Sequence, residues 1–431
     1  MEGGLALKEM KFFCVKEIKD YVRSVGNFDG VEFADSDKET FLNAIMRIQP
    51  NAQKGCEEEI YGETGIEGLK IDFNFGLRLD IPEGNWHVKV SDFDSGQIFF
   101  DEDISDKRLI SLEKYYVHWQ VDVSRDGEPV FSHTFDLTGQ PVQVYFAGRA
   151  MGDAMALMPY VSELQKVYGC DVTVVLPKYL REFFKQLYPD LKQADKETFE
   201  FYATFYPMIA ISSLLFLPTD GRTTPMENMG SLIFGLNTVA PNAKYTPSKP
   251  RRIKEPYVCI GVQASGTPKC WLYPGGWDIV VRHLKELGYR VLCIDKDAKV
   301  TNYLHTIKKP KFAEDFTGNH PLIERADMLY YADFFIGLSS GLSWLAHSVG
   351  CKVVMICGFS RQWYEFYNPY RVINPLLCNG CFNDLRVIFR DQACPYHEKT
   401  PRELECQRKI MPRQVIAVIN QLIADLKEER Q

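Results

Sequence analysis

Hydrophobic and polar positions change rhythm near residue 140. Before that point, short segments at 77–81, 86–91, 97–101, 115–125 and 130–138 alternate or cluster β-forming side chains. Turns at Pro82-Glu83-Gly84-Asn85, Asp94-Ser95-Gly96 and Asp126-Gly127 separate them. This pattern predicts an antiparallel β domain or small barrel, with one helical stretch at 36–48.

From Pro141 onward the period becomes strand, glycine-containing turn, helix. A strand at 142–146 leads through Gly148 and Gly152-Asp153 into a helix that reaches Tyr168, and strands at 172–176 and 209–212 continue the series. The segment 237–256 holds Pro241, Pro247, Pro250 and Pro256 and the cations Lys249, Arg251, Arg252 and Lys254, and reads as a linker. Beyond it, strands at 257–262, 290–294, 334–337 and 352–356 alternate with helices at 276–287, 321–331 and 343–349, and a last helix spans 412–427. Repeated β–α alternation predicts parallel sheets covered on both faces, so the fold class is α/β with two Rossmann-like domains facing a cleft. The expected bounds are 1–140 for the β domain, 141–245 and 246–375 for the two Rossmann-like domains, and 376–431 for a C-terminal unit.

Composition narrows the functional classes. A chain of 431 residues exceeds one ordinary core, and 45% hydrophobic with 25% charged residues argues against disorder and against a fibrous architecture. The net charge of -7 gives no broad positive field, which argues against nucleic acid or anionic lipid as a partner. Any anion must be held locally. The most apolar windows, 206–218 and 349–358, are too short to span a membrane, and residues 1–11 carry Glu2 without a long apolar run. A cytoplasmic location is expected.

Three strand ends carry candidate chemistry. In Phe146-Ala-Gly-Arg-Ala-Met-Gly152-Asp153 a carboxylate follows a strand's carboxyl end, where α/β sheets bind ligands. Asp153 there is either a general base or a helix N-cap. The loop Gly261-Val-Gln-Ala-Ser-Gly-Thr267-Pro-Lys269 offers amides and hydroxyls to phosphate, and Lys269 is its only cation, suited to a diphosphate leaving group. In Ser339-Ser340-Gly341-Leu342-Ser343 a buried strand opens a helix whose first-turn amides and dipole favour an anion, unless serine and glycine only form a tight cap. The segment lacks Gly-Lys-Ser/Thr and Gly-x-Gly-x-x-Gly, which counts against kinase and dehydrogenase readings.

Twelve cysteines fall into unlike groups. Cys259, Cys293, Cys351 and Cys357 lie in or beside apolar runs and read as core. Cys378, Cys381, Cys394 and Cys406 follow a C-x2-C-x12-C-x11-C pattern, a four-thiolate set suited to structural iron or zinc with no open coordination position.

Together, Gly152-Asp153 with Pro159, Lys269 with Trp271, and Ser340-Gly341-Leu342-Ser343 with Leu345-Ala346 resemble the lipopolysaccharide heptosyltransferases of the glycosyltransferase family 9 type. Ile81-Pro-Glu-Gly-Asn-Trp-His-Val88, Tyr289-Arg-Val-Leu-Cys-Ile-Asp295 and Phe359-Ser with Glu365-Phe-Tyr sharpen this to the bacterial autotransporter heptosyltransferases. The likeness runs from about Leu77 onward. It implies a GT-B type fold and an inverting transfer of heptose from ADP-heptose to serines of an autotransporter passenger domain. In that scheme Asp153 is the base, and Lys269 with Gly152, Thr267, Ser339, Ser340, Gly341, Leu342 and Ser343 surrounds the donor diphosphate without a catalytic metal. It further implies one structural iron per chain on the four cysteines, with zinc the alternative, and a large ring-shaped homo-oligomer such as a dodecamer. Rival readings are a transferase with another nucleotide sugar or acceptor, and a non-catalytic assembly protein of the same fold.

Overall fold

Residues 59–429 are described in this computed structural model, apart from 112–113, 115–116, 147–149, 208–218, 303–304 and 388–392, together with a hairpin of Asn27–Phe28 and Val31–Glu32. The helix expected at 36–48 and the strand expected at 209–212 lie outside the described residues.

The N-terminal half contains β1 (Lys70–Asn74), β2 (Arg78–Ile81), β3 (Trp86–Asp92), β4 (Ile98–Ile104), β5 (Lys107–Ile110), β6 (Trp119–Arg125) and β7 (Glu128–Thr134). Strands β4, β3, β6 and β7 form, in that order, an antiparallel sheet that is open among the described residues and does not close into a barrel. Trp86, Val88 and Val90 on β3 and Trp119, Val121 and Val123 on β6 are buried at a period of two, so one face meets the core. The register sets Val88 against Val123 and Val90 against Val121 on that face.

The first Rossmann-like unit adds β8 (Pro141–Tyr145), α1 (Met151–Tyr168), β9 (Asp171–Val175), α2 (Lys178–Leu187), β10 (Lys192–Ala194), β11 (Ala203–Phe205) and α3 (Met229–Phe234). Its sheet has the order β10-β9-β8-β11-β1-β2-β5. Strand β1 runs parallel to β11, whereas β2 and β5 complete the sheet antiparallel. Three strands N-terminal to residue 140 therefore belong to the same hydrogen-bonded sheet as β8. An interior ion pair makes this possible: Arg78 Nε and Nη2 donate to the Asp72 carboxylate at 2.8 and 2.5 Å, both residues fully buried.

Residues 237–256 carry neither helix nor strand, as expected of a linker. The Asp327 carboxylate holds this stretch in place, accepting from the Tyr245 hydroxyl at 2.7 Å and the Ser248 amide at 2.8 Å.

The second unit comprises β12 (Tyr257–Ile260), α4 (Gly276–Glu286), β13 (Arg290–Cys293), β14 (Lys299–Asn302), β15 (His305–Lys308), β16 (Glu314–Asp315), α5 (Leu322–Tyr331), β17 (Phe335–Leu338), α6 (Gly341–Ser348), β18 (Val353–Ile356) and β19 (Arg371–Val372). Its sheet, β16-β13-β12-β17-β18-β19, is parallel throughout. Every residue of β12, β17 and β18 is buried, as a sheet covered on both faces requires. A short helix α7 (Glu405–Arg408) precedes α8 (Pro412–Glu429), whose Val415, Ile419 and Leu422 turn one apolar stripe inward. Among the described residues, no helix is long and apolar enough to cross a membrane.

Candidate active site

The starts of α1 and α6 meet where the two units touch. A Cβ on Gly341 would fall 2.7 Å from Met151 Cε and 3.0 Å from Met151 Cβ, and one on Gly152 would fall 3.1 Å from Trp344 Cδ1. Glycine at both positions lets the two helix starts cross closely. Beside this crossing opens a cavity of 1420 Å³, lined from one unit by Gly152 and Asp153 and from the other by Lys269, Ser339, Ser340, Gly341 and Leu342.

Asp153 is the third residue of α1, and Ala150 occupies the cap position without a side-chain bond. The carboxylate is thus not an N-cap. Though part of its surface reaches the cavity, surrounding protein atoms desolvate it and push its pKa up to about 6, with the Lys269 charge pulling the other way. The two groups lie within electrostatic reach across the cleft.

Lys269 ends a single 3-10 turn, Thr267–Lys269, in which the Cys270 amide donates to the Thr267 carbonyl at 3.0 Å. Gln407 Nε2 donates to the Pro268 carbonyl at 2.6 Å and Trp271 Nε1 to the Ile410 carbonyl at 2.9 Å, so the C-terminal segment fastens this loop. Trp271 is therefore a core anchor. The Lys269 ammonium lies 5.6 Å from the Phe359 ring centroid. Thr267 is buried within the turn and does not line the cavity.

The serines of α6 divide. Ser343 Oγ donates to the Leu338 carbonyl at 2.6 Å, and Ser343 is fully buried. The Ser339 hydroxyl donates to the buried Glu365 carboxylate, which also pairs with Arg371 at 2.5 Å. Ser340 occupies the cap position, yet its hydroxyl makes no capping bond and no other hydrogen bond among the described residues. With no acidic residue in the first turn, the start of α6 is set to receive an anion.

Sequence reasoning assigned no role to two further groups on the cavity wall. Asp295, just past β13, accepts the Val262 amide at 2.8 Å and the Gln263 amide at 3.3 Å, and burial pushes its pKa up to about 6. Arg325 donates to the carbonyls of Ile294 at 2.8 Å, His320 at 2.7 Å and Gly318 at 2.6 Å, bracing the loop at that edge. A carboxylate at a strand's carboxyl end, the signal that singled out Asp153, also marks Asp295.

In the C-terminal segment, Cys381, Cys394 and Cys406 are buried and Cys378 is partly so. Burial raises the pKa of Cys378, raises Cys381 to about 12 and raises Cys406, and in each case neighbouring thiols of the set raise it further. The four thus lie within electrostatic reach of one another, and their donor chemistry suits iron or zinc. Even so, among the described residues no group of three or more His, Cys, Asp or Glu side chains stands close enough to hold an ion.

Two α/β sheets with such a cavity between them have the fold of an α/β glycosyltransferase. Residues 65–127 match the model of the "Glycosyltransferase TibC, N-terminal domain" family, and residues 231–378 match "Glycosyltransferase family 9 (heptosyltransferase)". The chain is 38% identical over 380 residues to the autotransporter heptosyltransferase BAHTCr of Citrobacter rodentium, a match covering 86% of this chain and 93% of that protein. The crystal structure of the dodecameric iron-containing heptosyltransferase TibC in complex with ADP-D-β-D-heptose, a protein of Escherichia coli O78:H11, superposes with a TM-score of 0.81 at 37% identity. That superposition covers 86% of this chain and 99% of TibC. The inactive autotransporter heptosyltransferase BimC of Burkholderia thailandensis is 31% identical, over 83% of this chain and 87% of its own length. The chain belongs to the autotransporter heptosyltransferase family and is thereby a glycosyltransferase of the heptosyltransferase class.

Proposed function

We propose that this protein transfers heptose from ADP-heptose to serine hydroxyls of an autotransporter passenger domain, in the cytoplasm and with inversion at the anomeric carbon, on a GT-B arrangement of its two Rossmann-like units. The observation that carries this reading is the meeting of Asp153, Lys269 and the start of α6 at one cavity. With its pKa near 6, Asp153 is ionised at neutral pH yet basic enough to take a hydroxyl proton. As the serine oxygen bonds to the anomeric carbon, the bond from that carbon to the diphosphate oxygen breaks and its electron pair leaves with ADP. The Lys269 ammonium, the α6 amides and the Ser340 hydroxyl stabilise that charge, so no catalytic metal is invoked. Ser339 stands in the wall with its hydroxyl bonded to Glu365, while Thr267 and Ser343 are buried behind it.

The experiment is intact-mass analysis of a passenger fragment incubated with ADP-heptose and the protein, beside Asp153→Ala. Increments of one heptose that vanish in the variant support the reading, whereas nucleotide binding without increments removes this donor or acceptor. The kinship to inactive BimC favours one second reading, a non-catalytic assembly protein. Neither nucleotide binding nor transfer by the wild type would establish it.

By kinship with iron-containing, dodecameric TibC, we further assign one structural iron, or zinc, to Cys378, Cys381, Cys394 and Cys406, and a ring-shaped homo-oligomer to the assembled protein. A bound ion supplies a cross-link between distant stretches of chain and takes no part in transfer. Elemental analysis with native mass measurement tests both assignments. Absence of metal from the purified protein, or a monomer, would overturn the respective one.

A further inference from the structure

Tyr364 stands on the cavity wall with its side chain buried, only 4% of its surface exposed, and its hydroxyl makes no hydrogen bond among the described residues. A buried phenolic O–H without a partner is costly, and such groups are few in native structures. The residue is not free to turn elsewhere for one. Its carbonyl accepts the Met226 amide at 2.6 Å, the Glu365 carbonyl accepts the Glu227 amide at 3.1 Å, and the Tyr367 amide donates to the Glu227 carboxylate at 3.2 Å. Segment 364–367, which follows β18 of the second unit, is thus fastened to the first. The Phe382 ring packs on the Tyr364 ring with centroids 4.8 Å apart.

The charges around the phenol decide what it can meet. It lies within electrostatic reach of Asp153, Glu365 and Asp220, all of which raise its pKa beyond the effect of burial, and of Arg222, which lowers it. Arg222 is itself paired with Asp220 at 2.7 Å. Glu365 is likewise paired, with Arg371 at 2.5 Å, so of the three carboxylates Asp153 is the one that no ion pair among the described residues neutralises. Its charge beside the phenol disfavours a phosphate here, in contrast to the start of α6, and a neutral oxygen is the fitting partner.

We propose that Tyr364 determines specificity for the transferred sugar: its O–H donates a hydrogen bond to a hydroxyl oxygen of the donor's sugar, beside Asp153 and away from the diphosphate. This rests on the transferase reading above. Because ADP carries no transferred sugar, the contact separates the two ligands.

The test is calorimetric titration of ADP-heptose and of ADP into the full-length protein and into Tyr364→Phe. The variant keeps the ring and loses only the unpaired hydroxyl, so its thermal midpoint is expected at or above that of the wild type. It should bind ADP-heptose about tenfold more weakly, the loss of one hydrogen bond, with ADP affinity unchanged. Equal ADP-heptose affinity in both proteins, an equal loss for both ligands, or an effect confined to the KM for the acceptor would each overturn the proposal while leaving the transferase reading intact. A wild type that binds neither ligand would overturn both.

Discussion

The starts of α1 and α6 are built alike and charged differently. Each follows a parallel strand, each opens through a glycine, and the two glycines pack where the helices cross. At α1 the third residue is Asp153, so the favourable end of the helix dipole already faces a carboxylate of the protein itself. At α6 the first turn holds no acid, and the hydroxyl of Ser340, a residue of the cavity wall, makes no hydrogen bond among the described residues. One helix start therefore presents a base and the other a seat for an anion. A helix N-terminus alone does not define a phosphate site; the charge in its first turn decides.

The largest test of this contrast is Asp153→Asn. Transfer should fall by about 10²–10⁴-fold, the usual worth of a general base, while ADP affinity holds or improves because a negative charge has left the cavity. Initial rates and ADP titration measure the two, and retained transfer would erase the distinction between the helices. In the wild type kcat/KM should decline on the acid side of pH 6, as the raised carboxyl takes up its proton. A profile flat to pH 4.5 would place the base elsewhere. The same shift bears on stability: the folded state holds this proton more tightly than the unfolded chain, so the stabilisation is present below about pH 4 and is lost as pH rises through about 6. Asp153→Asn should therefore melt at or above the wild-type temperature at neutral pH.

Next in size is Lys269→Ala, expected to lower ADP affinity and transfer by about 10–10²-fold through loss of charge stabilisation at the diphosphate. Its second signature is sharper. Lys269 holds the Asp153 pKa down, so the acid limb of the rate profile should move to higher pH in the variant. An unmoved limb would break the coupling across the cleft.

Smaller again is the effect of closing the crossing. In Gly341→Ala the new Cβ would press on Met151, and overpacking of this kind costs about 1–3 kcal/mol, read as a lower denaturation midpoint. Unchanged stability would show that the two helix starts tolerate separation. Smallest is Ser340→Ala. A capping serine is worth about 1 kcal/mol to its helix, but this hydroxyl does not cap, so stability should stay within about 0.5 kcal/mol of wild type while ADP affinity falls severalfold. A full capping loss would return Ser340 to a structural role.

Much of the fold was legible before any coordinates. The strands β8, β9, β12, β13, β17 and β18 and the helices α1, α4, α5, α6 and α8 fall within a few residues of the segments that periodicity predicts. Strand β1 escaped because Asp72 reads as an exposed polar position, whereas Arg78 pairs with it in the interior. Strand β11, at three residues, is too short to show a period. Helix α2 was missed although Leu180, Phe183, Phe184 and Leu187 bury one face at helical spacing. At the site, Asp153 and Lys269 were legible because charged groups beside parallel strand ends face a cleft. Tyr364 was not, since nothing near it in the chain reports that its hydroxyl would be buried without a partner.

The sequence alone determined the strand–helix alternation, the positions of Gly152, Asp153, Lys269 and the small residues opening α6, and the cysteine spacing, because each depends on side chains only a few residues apart. Only the tertiary structure decided that β1, β2 and β5 complete the first sheet, and that Asp153 and Lys269 face one another across a single cavity. It alone also separated the committed hydroxyls of Ser339 and Ser343 from that of Ser340. Those outcomes turn on partners distant in the chain, such as Glu365 for Ser339 and Met226 for Tyr364, and burial and hydrogen bonding are set by what surrounds a group in space.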